Sequence, residues 1–157
     1  MEKCIGVAPS QKFKVLFDTG NCEFWVQSFN CNDIKCYTYN RYVKSKTFEP
    51  FHNEHLDIRY LSGYVSGTMI KDIVTNDIQI KHQLIGLAEE IDIPLMNEVT
   101  WDAVLGLAYS NKNLKSKGIT PIMDNIINQK LLHSKGEKKQ FSYYLSMNNG
   151  AITFGVC

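Results

Sequence analysis

The chain has 157 residues, 17 basic against 16 acidic side chains, a net charge of +1 and 44% hydrophobic residues. That length fits one domain able to bury about two-thirds of its unfolded surface. The near-neutral balance, with no stripe of Lys and Arg on one predicted face, argues against a nucleic-acid partner, and no apolar run reaches the roughly 18 residues of a membrane span.

In chain order, the opening MEKCIGVAPSQ lacks the uninterrupted apolar stretch of a secretory signal. KFKVLF (12–17), FWVQS (24–28), LDIRYLSGYVSGTMIKDIVTNDIQI (56–80), HQLIGLAEE (82–90) and AVLGLAY (103–109) then read as strands. They are rich in Val, Ile, Phe and Tyr, they partly alternate, and Gly, Asn and Asp punctuate them. One helix is well signalled in ITPIMDNIINQKLLHSKG (119–136), with Thr120 as N-cap, Pro121 in the first turn and Gly136 just beyond the end. Its apolar face is Ile122, Met123, Ile126, Ile127 and Leu131. FSYYLSM and AITFGVC, around Asn148-Asn149-Gly150, read as a closing hairpin. The pattern is a mainly β domain, without internal linker or low-complexity tract, that carries one helix.

Asp18 is the residue that needs explaining. It follows Val15, Leu16 and Phe17, a run that predicts a buried strand end. A carboxylate held there costs several kcal/mol unless it is hydrogen-bonded, paired or neutralised. Thr19 and Gly20 supply a hydroxyl, backbone N–H groups and a tight turn, although Asp-Thr-Gly after a strand is also an ordinary bend. The flanking segments decide between the two.

FDTGNCEFWVQS (17–28) resembles the catalytic segment of pepsin-like aspartic proteases, in which a hydrophobic-Asp-Thr-Gly loop is followed at this spacing by Trp-Val and a Ser. IRYLSGYVSGTM (58–69) resembles their flap, with Tyr60 at the flap tyrosine and Gly63 and Gly67 at the hairpin glycines. WDAVLGLAY (101–109) resembles the segment packed behind the catalytic loop, ITPIMDNIINQKLL the helix after it, and FSYYLS with GAITFG the closing hairpin of the same lobe. These matches run in family order across nearly the whole chain. The Asn- and Lys-rich style leans toward the plasmepsin branch.

The resemblance implies that residues 1–157 form the amino-terminal lobe of the bilobal pepsin-like fold. It implies cleavage of an extended peptide by a water held between two carboxylates, one ionised and one protonated, with Asp18 as one of them and no cofactor or metal. Thr19 would bridge to the facing loop of the other lobe, and Gly20 would bring a backbone N–H to the carboxylate. Asn21 stands where the family usually has Ser, whose hydroxyl bonds the outer carboxylate oxygen; an amide can donate the same bond through a longer side chain. Tyr60 would close over substrate and bond the indole N–H of Trp25. Leu16, Trp101 and Val104, with Leu95 and Met96 more loosely, fall where the family lines its first specificity pocket, and apolar side chains there suit a bulky hydrophobic substrate residue. Each of these side chains equally suits plain core.

Cys31 and Cys36 match the family's short disulfide loop and imply an oxidising compartment. With His52 and His55 they also form a C-x4-C-x15-H-x2-H series that raises zinc as a rival. The His spacing is one residue short of a finger, and the segment between lacks a strand-strand-helix pattern. His52, His55, His82 and His133 otherwise read as surface or loop residues. Cys4, Cys22 and Cys157 are left as an odd number.

No second Asp-Thr-Gly or Asp-Ser-Gly follows, since Asp72, Asp102 and Asp124 precede Ile, Ala and Asn. The resemblance therefore leaves the carboxyl lobe, signal and propeptide outside this sequence, as in a domain cut, a partial gene model or a natural one-lobed protein. Three readings follow: a protease lobe whose partner lobe holds the second Asp, a symmetric homodimer in which each copy gives Asp18, and a non-catalytic lobe that holds peptides. The expected location is the secretory pathway, an acidic vacuole or the cell exterior.

Overall fold

A computed structural model describes residues 2–75, 78–110, 112–132, 140–147 and 150–155, leaving out the side chains of residues 52–54, 95, 97 and 113. The strands are β1 (Glu2–Ile5), β2 (Gln11–Asp18), β3 (Phe24–Gln27), β4 (Glu49–Tyr60), β5 (Gly63–Thr75), β6 (Gln79–Asp92), β7 (Ala103–Gly106), β8 (Phe141–Leu145) and β9 (Gly150–Phe154), of which β1 and the first half of β4 lie outside the expected strands. Seven of them form one sheet in the order β1-β2-β7-β3-β6-β5-β4, and β1 also pairs with β5, so the sheet curls back on itself. β8 and β9 make a separate antiparallel pair, whose expected turn residues Asn148 and Asn149 lie outside the described residues. The expected strand 56–80 is divided between β4, β5 and the start of β6, because the stretch Leu61-Ser62 turns the chain back on itself.

Alternation along each strand splits the apolar residues between two clusters. Phe13 and Val15 of β2, Phe24 and Val26 of β3, Ile85 and Leu87 of β6 and Leu105 of β7 fill one side of the sheet. Trp25, Val65, Met69, Leu84, Ala88 and Val104 fill the other, beneath the β4–β5 hairpin.

Two carboxylates are buried in this framework and fully occupied. Asp72 accepts from Tyr42 Oη at 2.6 Å, Ser45 Oγ at 2.8 Å, Thr47 Oγ1 at 2.5 Å and the Ile73 amide at 2.7 Å. Burial, and then the adjoining Asp72, push the Tyr42 phenol well above its usual range. Asp102, just before β7, accepts from the Lys14 amide at 2.8 Å and from the amide and side chain of Asn40 at 3.1 and 3.0 Å. It thereby pins β7 to β2.

The expected helix is α2 (Ile122–Asn128), preceded by a short α1 (Lys112–Ser116) that carries little sequence signal. Pro121, not Thr120, occupies the N-cap and makes no side-chain capping bond. The carbonyl of Thr120 instead receives Gln83 Nε2 at 3.3 Å. The helix stops well before Gly136, itself outside the described residues, because Lys130 adopts the left-handed conformation at φ 55°. The Lys130 amide then bonds the Ile127 carbonyl and the Leu131 amide the Ile126 carbonyl, the paired closure of a Schellman motif. Leu131 is thus not on the helix, yet it still packs against the first cluster.

Asp102→Ala should lower unfolding free energy by about 2–4 kcal/mol in urea titration, because three donors lose their acceptor. Asp102→Asn should not restore it, since an amide presents N–H groups toward at least one existing donor.

Candidate active site

β2 ends at Asp18, and its parallel neighbour β7 brings Gly106 alongside. Beyond that register the two segments stay tied: the amides of Gly106, Leu107 and Ala108 donate to the carbonyls of Glu23, Asp18 and Asn21 at 2.9, 2.7 and 2.9 Å. Position 106 must be glycine for this approach, since a Cβ would lie 2.6 Å from backbone atoms of Asn21, Cys22 and Glu23. The loop backbone is therefore tied at three points to the segment that begins at Gly106.

Asp18 is half-buried rather than buried, contrary to the expectation, because the strand end emerges at the surface with Leu16 42% exposed. Among the described residues its carboxylate accepts one hydrogen bond, from the Gly20 amide to Oδ1 at 2.8 Å. Thr19 and Gly20 are exposed beside it.

Asn21 does not bond Asp18 in this arrangement. Its Oδ1 accepts from the Cys22 and Glu23 amides at 2.7 and 3.2 Å, a local turn that fixes which end of the amide is oxygen. Its Nδ2 donates at 3.3 Å to the hydroxyl of Tyr60, which also accepts from Trp25 Nε1 at 2.9 Å. Burial raises the Tyr60 phenol; the Trp25 and Asn21 donors oppose this, and the charges of Asp18 and Glu23 add to it. The ring thus stays protonated in acidic and neutral solution. Gly63 and Gly67 on β5 lie hard against β6, where a Cβ would sit 1.7 Å from the Asp92 carbonyl oxygen and 2.0 Å from that of Leu87. The hairpin glycines serve close strand approach as well as turning.

Trp101, Val104 and Met96 gather around Trp25 in the second cluster, with Trp101 edge-on to Trp25 at 6.2 Å. Val104 and Met96 are buried, and Met96 is also held by its carbonyl, which accepts from the Tyr39 hydroxyl. Leu16 stands apart. It opens into a groove of about 570 Å³ shared with Phe17, Thr19, Tyr143, Leu145 and Ile152. The side chain of Leu95 lies outside the described residues. Tyr143 is the site neighbour that sequence reasoning missed: its ring meets Phe17 edge-on at 6.3 Å, and burial followed by the charge of Asp18 raises its phenol. The available signal was the alternation of FSYYLS, which places Phe141 and Tyr143 on one face.

Cys31 and Cys36 form a disulfide with Cα atoms 6.2 Å apart. Both thiols of the zinc alternative are consumed by that bond, so it fails on chemistry. His55 and His82 are exposed, though both sit in strands. Of the other cysteines, Cys4 is half-buried, Cys157 lies outside the described residues, and Cys22 is buried in the loop between Asp18 and β3. The Cys22 thiol is pushed up to about 12 by burial and then by Glu23, whose Oε2 it faces at 3.5 Å.

The sequence model of the eukaryotic aspartyl protease family matches residues 4–157. Plasmepsin VII of Plasmodium berghei (strain Anka) is 35% identical over 96% of this chain and 34% of its own length. Pepsin A of Rhinolophus ferrumequinum is 36% identical over 96% of this chain and 39% of its own, and cathepsin D of Gallus gallus 35% over 90% and 35%. The chain thus spans between 34% and 39% of the length of these relatives.

The raised thiol gives a test of the loop's packing. A group whose folded pKa exceeds its unfolded value stabilises the fold below the unfolded pKa, here 9.0, and that contribution is lost as pH climbs toward about 12. Native Cys22 should therefore alkylate with iodoacetamide at pH 8 at least about a hundredfold more slowly than in urea, by peptide mass analysis, because little thiolate exists in the fold. Replacing it by Ala should remove one component of the alkaline loss of stability.

Proposed function

This chain belongs to the eukaryotic aspartyl protease family, and on that premise we propose that it is the amino-terminal lobe of a pepsin-like endopeptidase. It supplies one catalytic carboxylate, Asp18, the β4–β5 hairpin as flap, and part of the cleft for an extended peptide. The observation that carries the reading is a half-buried carboxylate that accepts one hydrogen bond among the described residues, on a loop tied to β7, next to a hairpin whose Tyr60 hydroxyl is already held by Trp25.

In this mechanism a water lies between Asp18 and a second Asp from a carboxyl lobe. The ionised carboxylate takes the water proton, and the protonated one polarises the scissile carbonyl. The two carboxyls titrate as a coupled pair, a behaviour for which pepsin is a standard worked example. Thr19 would bridge to the facing loop of that lobe, and its exposure on the loop is consistent with that role. The exposed Leu16 and the half-buried Trp101, which is backed by Trp25 and Val104, support a preference for a bulky apolar residue near the cut. The chemistry needs water alone, and the Cys31–Cys36 disulfide favours the secretory pathway, with an acidic vacuole or the cell exterior as destination.

In the full two-lobed protein, a fluorogenic peptide with apolar residues at the cut should be hydrolysed in acid, and Asp18→Asn should reduce kcat/KM at least about a thousandfold. Residues 1–157 alone should hydrolyse none at any pH, because a lone carboxylate has neither protonated partner nor second wall. Pepstatin-sensitive turnover by the isolated chain, rising with the square of its concentration, would replace this reading by the homodimer. A two-lobed protein that binds peptide without cleaving it would replace it by a peptide-binding lobe.

A further inference from the structure

We propose that Asn21 is a positioning residue that joins the catalytic loop to the β4–β5 hairpin, bracing the loop with its carbonyl and holding the Tyr60 hydroxyl with its amide. The inference rests on the reading of that hairpin as a flap.

Two independent bonds settle the orientation of the side chain. The Cys22 and Glu23 amides both need an acceptor and find it in Asn21 Oδ1, so the opposite end, facing Tyr60, is the donor. Trp25 Nε1 reaches the same phenol oxygen. With two N–H donors on its lone pairs, Tyr60 directs its own O–H elsewhere and offers a donor of fixed direction. A peptide carbonyl lying between hairpin and loop is the acceptor such a donor suits. The hairpin gains from a tie of this kind, because its tip projects into solvent at Leu61, beyond the ladder from Tyr64 to Asp92 and the packing of Ile58 and Tyr60 on the second cluster. Trp25 fastens Tyr60 to β3. Asn21 fastens it to the loop that carries Asp18.

A serine at position 21 carries its oxygen one atom nearer the backbone, so it can still accept from a turn amide but falls short of Tyr60, which the longer amide reaches only at 3.3 Å. Asn21→Ser is therefore the informative change: it keeps a turn acceptor and removes the flap donor. Asn21→Ala removes both, and Tyr60→Phe removes the shared oxygen.

Hydrogen–deuterium exchange of the peptide covering Ile58 to Val65, measured by mass spectrometry in the full-length protein, reads the tie directly. One lost hydrogen bond should speed exchange there by about three- to tenfold in Asn21→Ser and Asn21→Ala, with exchange in β2 and β7 unchanged in Asn21→Ser. In the Tyr60→Phe background, Asn21→Ser should add nothing further. The kcat/KM for peptide should fall by a similar factor. Unchanged exchange at the hairpin in Asn21→Ser, or an equal acceleration with and without the Tyr60 hydroxyl, would overturn the assignment. A protein that cleaves no peptide would sink the protease reading alone, since exchange still decides the tie.

Discussion

The site depends first on how closely β7 lies against the loop that follows β2. Parallel pairing ends at Asp18 and Gly106, and three successive amides continue it as hydrogen bonds to loop carbonyls. A loop of short polar residues would otherwise sample many conformations, each residue costing about 1–2 kcal/mol to fix. Here the cost is met by bonds to a strand that is itself buried on both faces. The missing side chain at Gly106 makes this approach sterically open, so one glycine sets the position of Asp18, Asn21 and, through the chain between, Trp25.

Hydrogen-bond accounting separates the carboxylates by role. Asp72 and Asp102 are buried, and each accepts three or more bonds, which suits an acceptor whose work is to hold segments together. Asp18 accepts one among the described residues and stands half-buried at a strand end. Its remaining lone pairs are the ones available to a water or a second carboxyl. The contrast needs no knowledge of family: a carboxylate whose oxygens are spent cannot also take a proton from substrate water without giving up structure.

The same contrast shows why some of the molecule was legible in the sequence and some was not. The strands, α2 and the order of the segments were readable, because period-2 and period-3.6 patterns report burial directly. The pairing of Tyr60 with Trp25 was legible only through the family resemblance; the residues alone suited plain core aromatics equally, and the bond found between them satisfies the polar tips of both rings. Burial of Asp18 was overread, since Val15, Leu16 and Phe17 say that a strand is apolar but not where it surfaces. β1 was missed because four residues with two charges carry little periodicity, and its place is set by β2 and β5 across the sheet. The early end of α2 was missed because a lysine in the left-handed conformation has no sequence signature, whereas glycine does. Met96 belongs to the same class: its burial is decided by Tyr39 and the Trp25 cluster, which lie far away in sequence.

Position 21 shows how a local departure from a pattern can carry information about distant contacts. A side chain one atom longer than serine gives up the short reach to the neighbouring carboxylate. In exchange it spans from the loop backbone to a hairpin nearly forty residues away in sequence, with separation 39 from Tyr60. The loop, Trp25 and the cluster beneath it are then held by packing, while the exposed hairpin tip, beyond the ladder from Tyr64 to Asp92, adds two side-chain hydrogen bonds at one oxygen. If the hairpin is the proposed flap, a rigid floor and a lightly held roof are opposite demands on one small domain. They are met here because packing on the sheet fixes the first, and two hydrogen bonds at Tyr60, each weak enough to break and re-form, govern the second.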